Sequence, residues 1–243
     1  AEGQWCPDPH RFFPWPDTGH EIERCLALIA YLGVPLAGKG LEVPLDDRDV
    51  DAASALMAAH GLRPGEYVCL HPGSQLASRR WPPQSFGAVA AQLAALDLRV
   101  VLTGSASERA ITRAVAAAAG CEVADLAGAT SVGAVAAVIA GARLLVCNDT
   151  GVSHIAAALG VPSVVVCCGA DPERWAPLDA RRHRVVFHPV PCRPCAHREC
   201  PIGHPCANGV SPAAVFRAAV EMLDVRRVCA AVAPRGPGQM PPA

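Results

Sequence analysis

The feature that most limits the possible folds is a set of short apolar runs that alternate with segments of helical periodicity. The runs are rich in valine, leucine and cysteine and lie at residues 67–71, 99–103, 143–147 and 163–168. Their apolar character is too continuous for strands with one solvated face and is typical of parallel strands covered on both faces. The intervening helices are predicted near residues 84–96, 107–119, 131–140 and 151–159. This alternation predicts an α/β fold with a Rossmann-like, doubly wound parallel sheet.

The region before this repeat, residues 1–64, has a different character. Two helices are predicted in it, at residues 20–33 and 51–60, with a linker between them that contains several glycines and prolines. The lead before the first helix is rich in proline and has neither an initiator methionine nor the pattern of a signal peptide. Such a lead is typical of a sequence that begins inside a longer protein.

The domain that contains the repeat is predicted to cover residues 65–228. Its last part holds a weaker strand at 184–187, a loop rich in cysteine, proline and histidine at 191–209, and a capped helix at 211–223. Residues 229–243 are predicted to form a flexible tail because they end in PRGPGQMPPA (234–243), which is rich in glycine and proline.

Charge and composition exclude several classes of function. A net charge of −1 and a pI near 6.8 do not show the excess of positive charge that is typical of nucleic-acid-binding proteins. The apolar stretches are too short, or too broken by Gly160 and Pro162, to form a transmembrane segment. The chain has twelve cysteines, and 51% of its residues are hydrophobic. Because several cysteines lie in predicted core strands, we expect buried thiols and a soluble, cytoplasmic protein.

Three loops follow the carboxyl ends of predicted strands, where ligands bind in an open α/β sheet. In the first loop, residues 71–82, Gly73 and Ser74 form a small turn whose amides and hydroxyl suit phosphate oxygens. Arg79 and Arg80 add paired donors that could hold a diphosphate. The alternative is an ordinary proline-rich turn with solvated arginines.

The second loop, residues 103–108, places Glu108 in the first turn of the next helix. A carboxylate at that position stabilises the helix dipole, so capping alone could explain it. Beside a cationic pocket the same carboxylate could accept hydrogen bonds from a ribose. The sequence leaves both roles of Glu108 open, helix capping and ribose binding.

The third loop, residues 148–154, joins an apolar strand to an alanine-rich helix. Either Asp149 or Thr150 could cap this helix, and Gly151 would let a ligand approach the backbone. His154 lies in the first turn, near the positive end of the dipole. By itself the segment fits a capped helix with a half-buried histidine, whereas beside the other two loops it predicts an anion site.

Several familiar motifs do not occur in the sequence. No GxGxxG follows a strand, and neither the GxxxxGK loop of P-loop NTPases nor a GxSxG nucleophile elbow is present. Their absence disfavours dinucleotide dehydrogenases, P-loop NTPases and α/β hydrolases. The remaining pattern favours a nucleotide diphosphate that is held without an essential metal ion.

The Cys-rich loop has enough potential ligands for zinc or an iron–sulfur cluster, with cysteines at Cys192, Cys195, Cys200 and Cys206. Their intervals do not match a paired CxxC zinc ribbon, and the same residues could pack the loop or form disulfides in air. We therefore assign neither a metal ion nor a cofactor.

In their order and spacing these segments resemble glycosyltransferase family nine, the bacterial heptosyltransferases of lipopolysaccharide core assembly. The resemblance extends from residue 20 to about residue 223. Its most specific motifs are HPGSQLASRRWP (71–82), DLAGATSVGAVAAVI (125–139), NDTGVSHIAAALGVP (148–162) and PCRPCAHRECPIGHPC (191–206). The last of these is more similar to the second heptosyltransferase of the family than to the first.

The resemblance implies the C-terminal half of a GT-B architecture with a remnant of the N-terminal half. It implies ADP-heptose as donor and, as acceptor, the lipopolysaccharide core at the cytoplasmic face of the inner membrane. The donor contacts that it implies are Gly73, Ser74, Arg79, Glu108, Asp149, Thr150, Gly151 and His154. Of these, Arg79 stands where the family commonly has lysine, and it would stabilise the leaving diphosphate together with His154.

The resemblance also implies a carboxylate base in an N-terminal domain whose first strands should precede His20. Only 19 residues lie there, and Asp8 and Asp17 match no base motif. The catalytic base is therefore unassigned and expected in a missing N-terminal region. The alternative is a truncated, catalytically inactive nucleotide-sugar-binding module, whereas the RRWP and NDTGVSH loops together disfavour a nucleotide-sugar epimerase of the same fold.

Overall fold

The protein is built around a six-stranded sheet in which all strand pairs are parallel. The computed structural model describes residues 12–232, with side chains for residues 12–224. The strands are β1 (Tyr67–His71), β2 (Arg99–Leu102), β3 (Val123–Asp125), β4 (Leu145–Asn148), β5 (Ser163–Val166) and β6 (His183–Val186). Their order in the sheet is β3-β2-β1-β4-β5-β6. This is the doubly wound order, so the predicted fold class is confirmed, and the direction of winding reverses between β1 and β4.

Nine helices accompany the sheet in the described part of the chain. They are α1 (Glu21–Tyr31), α2 (Asp47–Ala59), α3 (Pro83–Ala94), α4 (Arg109–Ala119), α5 (Val132–Gly141), α6 (Gly151–Ala158), α7 (Pro172–Trp175), α8 (Pro205–Asn208) and α9 (Pro212–Val232). Two short 3₁₀ turns, Ala77–Arg79 and Ala106–Glu108, follow β1 and β2. Every helix within residues 12–232 is too short or too polar to span a membrane.

Each face of the sheet is covered by its own set of helices, which explains the continuous apolar strands. Val68 and Leu70 point to one face and pack with apolar residues of α3, α4 and α9. Tyr67 and Cys69 point to the opposite face and pack with residues of α2, α5 and α6. Successive side chains alternate between the two faces, and both faces are shielded from water, so apolar residues are favoured at successive positions within the central strands.

The N-terminal helix α1 lies outside the sheet layers and packs near the end of β5. The ring Nε2 of His20 lies 2.7 Å from the carbonyl oxygen of Ala176, just after α7. Glu21 pairs with the Nε of Arg174 at 2.7 Å and also with Arg24. These contacts bring α1 to the carboxyl edge of the sheet, where the candidate ligand loops lie.

Several element boundaries differ from those predicted. The helix predicted at 51–60 begins at Asp47 because the Asp46 carboxylate accepts a hydrogen bond from the N–H of Asp49 and caps it. The helix predicted at 211–223 continues as α9 to Val232, into the segment predicted to be a flexible tail. The rest of that tail, 233–243, and the lead 1–11 lie outside the described residues.

Candidate functional site

The carboxyl ends of β1 and β4 are joined by the side chain of Asn148, which is fully buried. Its Nδ2 donates to the carbonyl oxygen of Pro72 at 2.7 Å, and its Oδ1 accepts from the backbone N–H of Trp81 at 2.9 Å. Asn148 therefore ties the first candidate loop to the third at the point where the sheet reverses direction. We did not single it out from the sequence, although a polar residue that ends an apolar strand was the available signal.

The first loop, residues 71–82, is fixed at both ends. Trp81 is fully buried, and its indole N–H donates to the carbonyl oxygen of Val210 at 3.0 Å. Arg80 donates from its Nε to the carbonyl oxygen of the buried Ser74 at 2.8 Å. Arg80 thus holds the loop itself through its Nε, and phosphate binding by Arg79 and Arg80 stays a prediction.

Arg79 differs from its neighbour in having an unused donor. Its Nε is buried and has no hydrogen-bond partner among residues 12–224. A buried donor without a partner is costly, so such a group is typical of a site that a ligand completes. The residue ends the short 3₁₀ turn Ala77–Arg79, directly after the buried Ser78.

Glu108 makes a capping box with Ser105 at the start of the turn that leads into α4. Its carboxylate accepts from the Ser105 N–H at 2.8 Å and from the Ser105 hydroxyl at 2.9 Å. The capping interpretation is therefore confirmed. The same carboxylate packs against Gly73, where a Cβ atom would overlap it. This contact brings the first and second loops together, and a ribose-binding role for Glu108 stays a prediction.

A pocket of about 300 Å³ lies between the second and third loops. It is bordered by Glu108 and Ser105 on one side and by Thr150 and Gly151 on the other. His71 also lines the pocket, and its Nδ1 lies 3.0 Å from the Thr103 hydroxyl. Burial lowers the pKa of His71, so this ring is neutral at pH 7.

The amino end of α6 opens towards the same edge of the sheet. Thr150 occupies the N-cap position, but its side chain makes no capping hydrogen bond in the described part of the chain. Of the two residues that could cap the helix, Asp149 and Thr150, Thr150 therefore does not do so. In front of Gly151, the first residue of α6, a Cβ atom would meet nothing within 4 Å. Gly151 is exposed, so an anion could approach the start of the helix at this residue, where the helix dipole also favours it.

Charges of both signs meet beside this helix end. Burial raises the pKa of Asp149, and the nearby charges of His154, Arg79 and Arg193 counteract that rise. Burial lowers the pKa of His154; the Asp149 charge raises it and His20 lowers it further. Burial therefore disfavours the charged form of both His154 and Asp149 in the free site.

Two further cavities border this centre. One, of about 350 Å³ and mainly apolar, lies between α1 and His154, whose ring centroid is 6.3 Å from that of Trp175. The other, of about 460 Å³, has polar and apolar walls in nearly equal parts and is lined by Arg79, Arg174 and Asp171 among others. His154 and Arg79 thus each face open space next to the carboxyl end of β4.

The Cys-rich loop folds onto the end of β5 with its four cysteines as free thiols. Within the part of the chain whose side chains are described, no three His, Cys, Asp or Glu residues lie close enough together to hold a metal ion. The loop is held instead by Arg193, whose Nη2 donates to the carbonyl oxygens of Cys167 and Cys168 at 2.9 Å each. Arg193 is a second residue of the site region that was missed in the sequence.

These features define a doubly wound α/β class of domain, with the start of a helix at the reversal of the sheet, where ligands bind in such folds. The family model described as glycosyltransferase family 9 (heptosyltransferase) matches residues 10–205. The chain therefore belongs to glycosyltransferase family 9.

Individual relatives agree with this membership. The chain is 30% identical over 177 residues to lipopolysaccharide heptosyltransferase 2 of Salmonella typhimurium, covering 68% of this chain and 50% of that protein. It is also 30% identical over 192 residues to lipopolysaccharide heptosyltransferase 1 of Pseudomonas aeruginosa, covering 78% of this chain and 51% of that protein. The chain thus spans about half the length of the curated relatives it matches.

A solved structure shares the fold. The structure of the Escherichia coli ADP-heptose lipopolysaccharide heptosyltransferase II superimposes with a TM-score of 0.63 at 24% identity. The match covers 79% of this chain and 56% of that chain. The Rossmann-like sheet and its helices are therefore a fold found in this group of glycosyltransferases.

Proposed function

We propose that this chain is the donor-binding half of a heptosyltransferase that transfers heptose from ADP-heptose to the inner core of lipopolysaccharide. The observation that carries the proposal is the buried, unpartnered Nε of Arg79, whose charge acts on Asp149, two residues before the start of α6. A diphosphate placed there would supply the missing acceptor for Arg79 and would also accept from the first N–H groups of the helix.

The donor orientation follows from the pocket between the loops. The nucleoside would occupy the space of about 300 Å³ beside Glu108, whose second carboxylate oxygen would accept from the ribose hydroxyls. Gly73 and Ser74 would lie next to the phosphates, as would Thr150 and Gly151. The sugar would then extend towards His154 and Asp149, where the neighbouring cavities leave room for it.

In the proposed reaction an acceptor hydroxyl oxygen attacks the anomeric carbon of the donor with inversion. The bond from that carbon to the β-phosphate oxygen breaks, and ADP leaves with the electron pair. The acceptor proton passes to a general base, which we assign to no residue of this chain. Arg79, His154 and the α6 N–H groups would stabilise the charge on ADP without a metal ion, as preorganised donors do.

The domain assignment is part of the same proposal. Residues 65–228 would bind the donor, and residues 1–64 would belong to the acceptor side of a GT-B enzyme. The acceptor would be reached at the cytoplasmic face of the inner membrane.

Calorimetric titration with ADP and with ADP-heptose tests the proposal on this chain. We expect binding of both, and a loss of about ten- to a hundredfold in affinity for Arg79→Ala, because a charge-assisted hydrogen bond disappears. Arg80→Ala is the matched control, since Arg80 bonds the loop backbone. A chain that binds neither nucleotide, or an Arg79→Ala variant with unchanged affinity, would overturn the proposed site.

Transfer is tested separately from binding. ADP release is measured with ADP-heptose and lipopolysaccharide that lacks inner-core heptose, first with magnesium and then with EDTA. Equal rates in both conditions are expected of a metal-independent enzyme. Binding without any transfer would instead favour the inactive nucleotide-sugar-binding module.

A further inference from the structure

All three polar groups of Ser78, the residue before Arg79, are bound by the Cys-rich loop. The N–H of Ser78 donates to the carbonyl oxygen of Arg198 at 3.0 Å, and its hydroxyl donates to that of His197 at 2.5 Å. Its own carbonyl oxygen accepts from Nε2 of His204 at 2.7 Å. Ser78 is only 2% exposed, so these bonds are made in a nearly water-free environment, where a lost partner is costly.

The segment that holds Ser78 is itself anchored to the sheet. The guanidinium group of Arg193 donates to the carbonyl oxygens of Cys167, Cys168 and Ala170, immediately after β5. Two residues later, the N–H of Cys195 donates to the carbonyl oxygen of Gly169 at 2.7 Å. Residues 193–204, which we name the Cys-rich brace, therefore connect the end of β5 to the turn that carries Arg79.

Gly169 is the point at which these segments meet. A Cβ atom there would lie 3.1 Å from Cβ of Cys195 and 3.3 Å from the carbonyl oxygen of Ser78. It would also lie 3.7 Å from Cγ of Arg79, so the stem of this arginine packs at the same junction. Both the backbone before Arg79 and its aliphatic stem are thus fixed by contacts that converge on the end of β5.

We propose that the Cys-rich brace is a positioning element for Arg79, acting through Ser78, so that the guanidinium group is already aimed at the diphosphate before the donor binds. The inference rests on the proposed function for its consequence, the binding of a diphosphate, but not for the geometry of Arg79. An arginine side chain loses much rotamer freedom on binding an anion, and a brace that restricts it beforehand reduces that loss.

The variant that tests the brace is His204→Asn. His204 has a left-handed backbone conformation with φ of 62°, which asparagine tolerates, while the shorter amide no longer reaches Ser78. Ser78→Ala, which removes only the hydroxyl bond to His197, is the second variant. Ile202→Ala is the matched control, because Ile202 lies in the same segment, is 63% exposed and carries no charge.

The first readout does not depend on any ligand. In ¹⁵N NMR spectra, the Nε–H signal of Arg79, assigned from its loss in Arg79→Lys, should exchange slowly with water because the atom is buried. We expect His204→Asn and Ser78→Ala to move this signal towards those of solvated arginines and to accelerate its exchange, and Ile202→Ala to leave it unchanged. An unchanged signal in both folded brace variants would overturn the proposal.

The second readout is a double-mutant cycle on ADP affinity. His204→Asn should weaken ADP binding about tenfold in the native background and should have no effect in an Arg79→Ala background. Equal losses in both backgrounds would show that the brace does not act through Arg79. A chain that fails to bind ADP would contradict the proposed function, while the NMR signal would still decide the role of the brace.

Discussion

The side-chain oxygen of Asn148 accepts a hydrogen bond from the backbone N–H of Trp81 at 2.9 Å, although the two residues are 67 positions apart in the chain. The same amide donates to the carbonyl oxygen of Pro72 at 2.7 Å. One fully buried side chain thus sets the distance between the loop that carries Arg79 and the loop that carries Asp149.

Asn148→Ala should therefore destabilise the protein and weaken donor binding together. Loss of these buried bonds leaves a carbonyl oxygen and an N–H group unpaired, at a cost on the order of 3 kcal/mol. Urea unfolding measures this cost, and ADP titration measures the binding. Asn208→Ala is the control, since Asn208 is exposed and makes one bond to Gly203, so it should lose less than about 1 kcal/mol. Equal losses in the two variants would contradict the role of Asn148.

Gly73→Ala should act through Glu108. The added methyl group would displace the Glu108 carboxylate from Ser105 and break the capping box, which is worth about 1 kcal/mol. In a Glu108→Ala background the same change should cost much less, because the side chain it would strike is gone. Urea unfolding of the two single variants and the double variant gives the coupling, and strictly additive losses would show that the contact does not matter.

The fold was largely predictable because its signals are local. The continuous apolar runs at β1, β2, β4 and β5 reflect a sheet buried on both faces, and this pattern is visible without any partner. Strand β3 escaped prediction because it has only three residues, of which Ala124 alone is buried. It owes its extended conformation to pairing with β2 rather than to its own sequence.

The candidate site likewise contains residues that local motifs reveal and residues that only long-range contacts reveal. Glu108 with Ser105 is a short motif, so its capping role could be predicted from neighbouring residues, while ligand binding by the loop from Asp149 to His154 stays a prediction. The bonds of Asn148 to Trp81 and of Ser78 to His197 join positions 67 and 119 residues apart. No local pattern encodes such pairs, which is why the residues that position the site were missed.

The stability of the protein should decrease on acidification because of His183. This ring is buried, with Nδ1 2.9 Å from the Ser163 hydroxyl, and burial lowers its pKa below the usual value of 6.5. The unfolded chain therefore binds the proton more readily, so stability is complete above pH 6.5 and is lost as the pH falls below it. Each unit of the shift corresponds to about 1.4 kcal/mol.

Urea unfolding between pH 8 and pH 5 measures this dependence. His183→Gln should be less stable at pH 8 but should show a smaller loss between pH 7 and pH 5. The exposed His60 offers a control, as His60→Gln should keep the full dependence of the native chain. The same slope in all three proteins would rule out His183 as a source of the acid sensitivity.

Donor binding should strengthen as the pH falls, because His154 takes up a proton when the diphosphate binds. In the free protein burial lowers the pKa of His154; the Asp149 charge partly offsets this effect, and the charge of His20 adds to it. A bound diphosphate raises that pKa, so affinity increases as the pH falls through the bound value and levels off below the free value. Burial also raises the pKa of Asp149, whose protonation at lower pH would act in the same direction.

ADP-ribose is the suitable probe for this dependence, since its diphosphate is esterified at both ends and has no ionisation of its own near neutral pH. Titrations from pH 8 to pH 5.5 should show affinity rising by up to about tenfold for each unit that the His154 pKa shifts on binding. His154→Gln keeps a polar side chain without the titration, so its affinity should be flat above the range in which Asp149 protonates. His60→Gln should follow the native curve. A pH dependence that persists in His154→Gln would assign the proton uptake to another group and remove His154 from the diphosphate site.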